Sequence, residues 1–312
     1  MSFVIQKLSV RTFSNVNRVA FIRAARPFLT QIKYQTTFKN ASRELGAGLV
    51  RVQMRASFVC SEDLRISVGI SLNHKHSKPG TSGVGVIDSV GTGVATSLKG
   101  ESVLVIDQPN CWGGNIDVEE KHLIKLPKLF PIERAALLPE FLTAWALLND
   151  GVVLKRGDTV LHSMGADSPV GIALKVLGSE MHLNILHDWA SARGAALAVS
   201  GTSGKVCTDL VRRLNKGGTL VVLPGPPESA SASGEVGVPV AASIFSGASV
   251  QGFELGAWLR AHPELARRGV DELIAIIGEN KFDPPTTLFS FKDYEQALLF
   301  ARSGQSALLV SS

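Results

Sequence analysis

The residues best placed to do chemistry run from Gly157 to Gly171, GDTVLHSMGADSPVG, where an apolar strand through Val160 and Leu161 enters a glycine-containing loop and a helix starts at Val170. A helix that begins at the end of a strand points its free backbone N–H groups and the positive end of its dipole at the loop, the layout that receives a pyrophosphate. The chemistry implied is dinucleotide binding. Pro169 opposes it, standing where such loops carry a glycine and offering neither room nor an N–H. A charge-assisted hydrogen bond to phosphate is worth about 1.5 to 3 kcal/mol, so its loss weakens the site before any clash is counted. Proline is favoured at the first helical position, so folding is not threatened.

A second irregularity lies just downstream. Strands are expected at 182–187 (HLNILH) and 195–199 (AALAV), with about eight residues between them. A parallel crossover through a helix needs a dozen or more residues, whereas eight extended residues reach about 27 Å, enough for a bare loop to cross the sheet. No helix fits there. Asp188 ends the second strand where a ribose hydroxyl is normally read, and a solvated surface aspartate is the reading preferred for it.

Other chemistries find little material. Cys60, Cys111 and Cys207 lie far apart, without CxxC or Cys/His zinc spacing, and their apolar neighbours Val59, Trp112 and Val206 predict buried or half-buried thiols. His74, His76 and His187 are too scattered for a metal site and read as surface histidines. The chain contains no GxSxG elbow and no Walker loop.

These positions need elements to hold them. Residues 48–59 alternate apolar and polar as a half-buried strand does, 83–90 and 102–106 continue in the same manner, and 110–115 is a turn-rich loop. A small β-barrel is expected. From Pro131 the spacing turns helical, with two helices broken at Pro139, and then strand and helix alternate: strand–loop–helix at 158–177, a helix at 204–214 and a strand at 218–223. Residues 224–239 form a Pro, Gly and Ser-rich loop, followed by a strand at 249–253, a helix at 257–277 and a helix–strand pair at 291–310.

At 312 residues and 45% hydrophobic content the chain can bury a sizeable core and suggests two domains, with no apolar run of the roughly eighteen residues that a membrane span needs. Its net charge of +5 is uneven. Residues 1–43 hold eight Lys or Arg and no acid, so the remainder carries 24 basic against 27 acidic residues, a net −3. Arg interleaved with Ser, Thr, Asn and bulky apolar residues matches a mitochondrial transit peptide over 1–43, a basic tail on a cytosolic protein being the alternative. Import to the mitochondrial matrix is expected. The slightly acidic body does not indicate nucleic acid binding.

Taken together, VRVQMRASFVCSEDL (50–64), GVGVIDSVGTGVATSLKGESVLV (83–105), LLPEFLTAWALL (137–148), the 157–171 loop, TDLVRRLNKGGTLVVLPG (208–225), VQGFELGAWLR (250–260) and FKDYEQALLF (291–300) resemble the medium-chain dehydrogenase/reductase superfamily, and within it the mitochondrial 2-enoyl thioester reductases. The resemblance implies an α/β chain: a GroES-like β-barrel from 44–125 and 290–312, and a doubly wound Rossmann-type domain over 126–289, here truncated. Active relatives use NADPH to reduce the trans-2 double bond of acyl thioesters, and on that basis Thr143, Ser168 and Gly171 are the surviving cofactor contacts.

The same resemblance exposes departures. Relatives place a helix, a strand and another helix where residues 187–194 stand. Their proton-donating tyrosine aligns with Ser71, a poor general acid, and the two tyrosines of the chain, Tyr34 and Tyr294, lie elsewhere. Glu254 takes an aromatic position near the acyl site, which puts a carboxylate in an apolar channel. Thr81 and Ser82 stand where the zinc branch has His-Glu, so no metal is expected. The resulting expectation is a reductase-like protein without catalysis that serves as a structural or assembly subunit of a mitochondrial complex or as a homodimer, with no resident cofactor. The alternative is an active NADPH-dependent reductase.

Overall fold

The computed structural model describes residues 44–70, 78–165, 167–227, 237–278 and 283–311. The expected transit peptide, Tyr34, Ser71, His74, His76 and most of the 224–239 loop lie outside them. Among the described residues twelve strands form two sheets. β1 (Leu49–Phe58), β2 (Ser82–Val90), β3 (Ser102–Ile106), β4 (Asn115–Glu119) and β5 (Leu123–Lys125) build the first. β6 (Thr159–His162), β7 (Asn184–Leu186), β8 (Ala195–Ser200), β9 (Leu214–Val222) and β10 (Ser249–Gly252) build the second, and β11 (Thr286–Ser290) with β12 (Ser306–Val310) return to the first.

The first sheet runs β11-β12-β1-β2-β3-β5, with β4 also paired to β1. β1 pairs antiparallel with β2, β4 and β12, and carries Val50, Val52 and Met54 into the barrel core. Ala56 and Phe58, farther along the same strand, join instead the core shared with the second sheet, so one strand couples the two. The second sheet is parallel throughout, in the order β10-β9-β8-β6-β7. Its strands alternate sides as a doubly wound sheet requires: Val160 faces the helices Leu138–Asn149, Pro169–Glu180 and Pro263–Gly278, while Leu161 faces Cys207 and Leu210 of the helix Lys205–Val211.

As the count of residues required, the chain passes from β7 to β8 on a bare loop over 187–194 that hops across β6. β7 is the edge of the sheet. Trp189 packs, partly buried, on the cluster that Leu161, Cys207 and Leu210 belong to, on the face that a crossover helix would cover. Arg213 fastens the loop there. Its guanidinium lies 4.8 Å from the Trp189 ring centroid and donates to the carbonyls of Trp189 (2.9 Å), Ala190 (2.9 Å) and Asp209 (2.6 Å). Gly178 allows the matching contact on the other face, since a Cβ there would overlap the Ile185 side chain of β7.

Several boundaries differ from expectation. The helix expected over 257–277 is two, Leu255–Ala261 and Pro263–Gly278. Proline lacks an N–H and pushes the preceding residue out of the helical region, and His262 sits at φ −131°, ψ 54°. The earlier pair breaks before Pro139, which occupies the first turn of Leu138–Asn149. β7 is shorter than 182–187 because His182 turns at φ +56°, and the helix expected over 204–214 stops at Val211, so β9 begins at Leu214. The short helices Ser61–Ser67 and Val240–Ser246 and the strands β4, β5 and β11 were not anticipated.

Candidate functional site

At the end of β6 the loop closes on itself. Ser168 caps the helix Pro169–Glu180, its Oγ accepting the Gly171 N–H at 3.1 Å and donating to the Gly165 carbonyl at 2.8 Å. Ser168 N–H also donates to Gly165 at 3.0 Å, and Ile172 N–H to the Ser168 carbonyl at 2.9 Å. Gly171 is needed for this closure, because a Cβ would stand 2.7 Å from the Gly165 oxygen. Of the three first-turn positions, Pro169 has no N–H and Gly171 spends its own on Ser168, so only the Val170 N–H lacks an acceptor among the described residues.

Behind the loop His162 is buried, its Nδ1 without a hydrogen-bond partner. Burial, then the neighbouring His187 with ring centroids 5.2 Å apart, holds its pKa down at about 4, so the ring is neutral at physiological pH. His187 and Asp188 are exposed at the end of β7, as read from sequence. Among the described residues no strand lies beyond β7 to wall an adenosine, and Asp188 faces open surface.

Between the two sheets lies a cleft of about 130 Å³. The barrel contributes Cys60, Thr81, Ser82 and Asp107; the second sheet and its helices contribute Glu140, Thr143, Met164, Val170, Phe253 and Glu254. Of the three proposed cofactor contacts, Thr143 reaches this cleft, while Ser168 and Gly171 sit in the adjoining loop and border it only through Val170. The Thr143 hydroxyl is already donated to the Pro139 carbonyl at 3.0 Å.

Asp63 organises the barrel side. Its buried carboxylate accepts N–H bonds from Gly80 (2.7 Å), Cys60 (3.0 Å) and Thr81 (3.2 Å), and burial raises its pKa against the pull of those bonds. The Cys60 thiol, 3.4 Å from the Thr81 hydroxyl, is pushed well up by burial and then by Asp63, which makes it a poor nucleophile. Glu140, with part of its surface open to the cleft, has its carboxyl pushed up to about 7, first by burial and then by Asp63. It has no hydrogen-bond partner among the described residues.

Glu254 does line the apolar channel, but as a helix cap. Its oxygens accept the N–H groups of Gly256 (2.8 Å) and Ala257 (2.6 Å), and Arg260 approaches within 3.8 Å. Arg260 also pairs with Asp107. No Lys, Arg or His is among the residues lining the cleft. Tyr294 is outside it, its ring 6.2 Å from Trp112 in the barrel core. All three cysteines are free, and among the described residues no cluster of three His, Cys, Asp or Glu side chains could hold a metal ion. Sequence reasoning missed Asp63 and Glu140; the one available signal was a lone acid inside the apolar run LLPEFLTAWALL.

A barrel coupled to a parallel nucleotide-type sheet, meeting at a cleft between them, is the architecture of the medium-chain dehydrogenases/reductases, and the chain is similar to that superfamily. Within it the resemblance is to mitochondrial enoyl thioester reductases. No family model matches the chain. The mitochondrial enoyl-[acyl-carrier-protein] reductase of Dictyostelium discoideum is 26% identical over 264 residues, covering 70% of this chain and 73% of that protein. Its Xenopus tropicalis counterpart is 24% identical over 294 residues, covering 80% and 82%. Among solved structures, the Etr1p/NADP/crotonyl-CoA complex has a TM-score of 0.72 at 19% identity, covering 88% of this chain and 93% of that one. The Etr1p/Etr2p heterodimer of Candida tropicalis has a TM-score of 0.73 at 18% identity, with the same coverage.

Proposed function

We propose that this chain is a mitochondrial protein of reductase ancestry that no longer binds NADPH productively and serves as a structural or assembly subunit of a protein complex. The observation that carries this reading is the sheet that ends at β7, which leaves the adenosine half of a dinucleotide site without a wall. Tested against a bound dinucleotide, the remaining residues do not fit it. Among the described residues the first turn of the helix leaves only the Val170 N–H without an acceptor, Thr143 and Ser168 have their hydroxyl protons committed, and the cleft between the sheets presents carboxylates and no lining cation to an anionic ligand.

Mitochondrial residence is supported by the names of the relatives and by the composition of residues 1–43, and the matrix is the compartment proposed. A protein partner is supported at the opposite edge of the second sheet. β10 is a terminal strand, and the helix Val240–Ser246 that precedes it leaves Val240, Ile244 and Phe245 exposed at 70%, 67% and 80%. No helix among the described residues is long and apolar enough to cross a membrane.

One observation favours the alternative of an active NADPH-dependent 2-enoyl thioester reductase: Glu140, titrating near neutrality in the cleft, could supply the proton that Ser71 cannot. Purification of the full chain from mitochondria separates the readings. The structural role predicts stoichiometric co-purification with other protein subunits and no oxidation of NADPH with trans-2-enoyl thioesters. A free monomer or homodimer that oxidises NADPH on adding crotonyl-CoA would replace it with the enzymatic one.

A further inference from the structure

The acids around the cleft are not equivalent. Asp107 is paired with Arg260, Glu254 is spent on the helix cap, and Glu62 lies 3.8 Å from Arg65. Glu140 alone has neither a cation nor a hydrogen-bond donor among the described residues. Independently, Ser82 is only 8% exposed and lines the same cleft with a hydroxyl that has no partner among the described residues. Both residues line the cleft without a protein partner among the described residues, and one ligand carrying a positive N–H donor would pair with them together. Ile106, Met164, Leu223 and Phe253 give the same wall an apolar part, and 130 Å³ admits only a few carbons.

We propose that this cleft binds a small aliphatic amine as its ammonium ion, held by the Glu140 carboxylate and the Ser82 hydroxyl, with its carbon chain against Ile106, Met164, Leu223 and Phe253. The inference rests on the reading that no dinucleotide fills the site. Asp63 and Cys60 from the barrel act on Glu140 directly, and Glu62, Asp107 and Glu254 line the same cleft, the last two beside Arg260, which is not itself a lining residue. Nothing basic among the lining residues competes with the ligand. An aliphatic amine stays protonated to well above pH 8, so binding follows ionisation of Glu140 and strengthens as pH rises through about 7.

The test is calorimetric titration of the full chain with n-pentylamine at pH 8 and pH 6, with pentanoate and 1-pentanol as controls. Saturable binding is expected for the amine alone, about tenfold weaker at pH 6 because the ionised fraction of Glu140 falls by that factor. Glu140→Gln should remove it, and Ser82→Ala, which keeps the charge, should weaken it while far-ultraviolet circular dichroism stays unchanged. No saturation by the amine, equal affinity for pentanoate, or undiminished binding by Glu140→Gln would overturn the proposal. NADPH titrated alone in the same calorimeter reports separately: its saturation would overturn the loss-of-cofactor reading and leave the amine result to stand by itself.

Discussion

Glu140 is held at an expense to the fold. Its folded-state pKa of about 7 lies above the ordinary glutamate value, so the native state holds a proton that the unfolded chain releases. The stabilisation is therefore complete below about pH 4.5 and lost progressively as pH rises through 7. Glu140→Gln should flatten that part of the stability profile and make the protein more stable at pH 8, by at most about 3 kcal/mol, measured by urea denaturation across pH 5 to 8. A variant whose stability still falls between pH 5 and 7 as steeply as the parent would show that Glu140 is not the group responsible. Pro169 makes the complementary case. Pro169→Gly restores the glycine that a phosphate loop prefers, yet the adenosine wall stays missing; it should cost roughly 0.5 to 1 kcal/mol of stability and recover no NADPH binding. At this scale the sequence showed Pro169 plainly, because proline's chemistry is local. It hid Asp63 and Glu140, whose importance comes from burial against residues far away in the chain, and it placed Glu254 in the channel without revealing that the helix behind it consumes both oxygens.

Among the elements, the bare 187–194 crossing was legible because chain length is a hard bound: eight residues cannot make a helix and still return to the next parallel strand. How the sheet accommodates so short a crossing was not legible, since Trp189 and Arg213 meet only in the folded chain. The indole packs on the cluster on that face of the sheet while the guanidinium stacks on it and takes three carbonyls. Trp189→Ala should cost about 2 to 3 kcal/mol, less than a fully buried tryptophan, and Arg213→Ala about 1.5 to 3 kcal/mol. Both act on one loop, so the double variant should cost less than the sum in denaturation measurements. Strict additivity would mean that the two do not form one clasp. The break at His262 to Pro263 was in principle readable from the proline alone, whereas β11, with half-exposed residues and no clean alternation, carried no pattern to read.

Across the whole molecule, the two features that the proposed function rests on lie at opposite edges of one sheet. At the β7 edge no further strand lies among the described residues, while the β10 edge carries a terminal strand flanked by exposed Val240, Ile244 and Phe245. Between them β1 ties the barrel to the shared core. This division of labour suits a protein used for its surfaces. It rests on the claim that NADPH has nowhere to be gripped, and a direct titration of the full chain with NADPH, followed by its own fluorescence, tests that claim most closely. The account predicts no saturation up to millimolar nucleotide; saturable binding at micromolar concentration would contradict it.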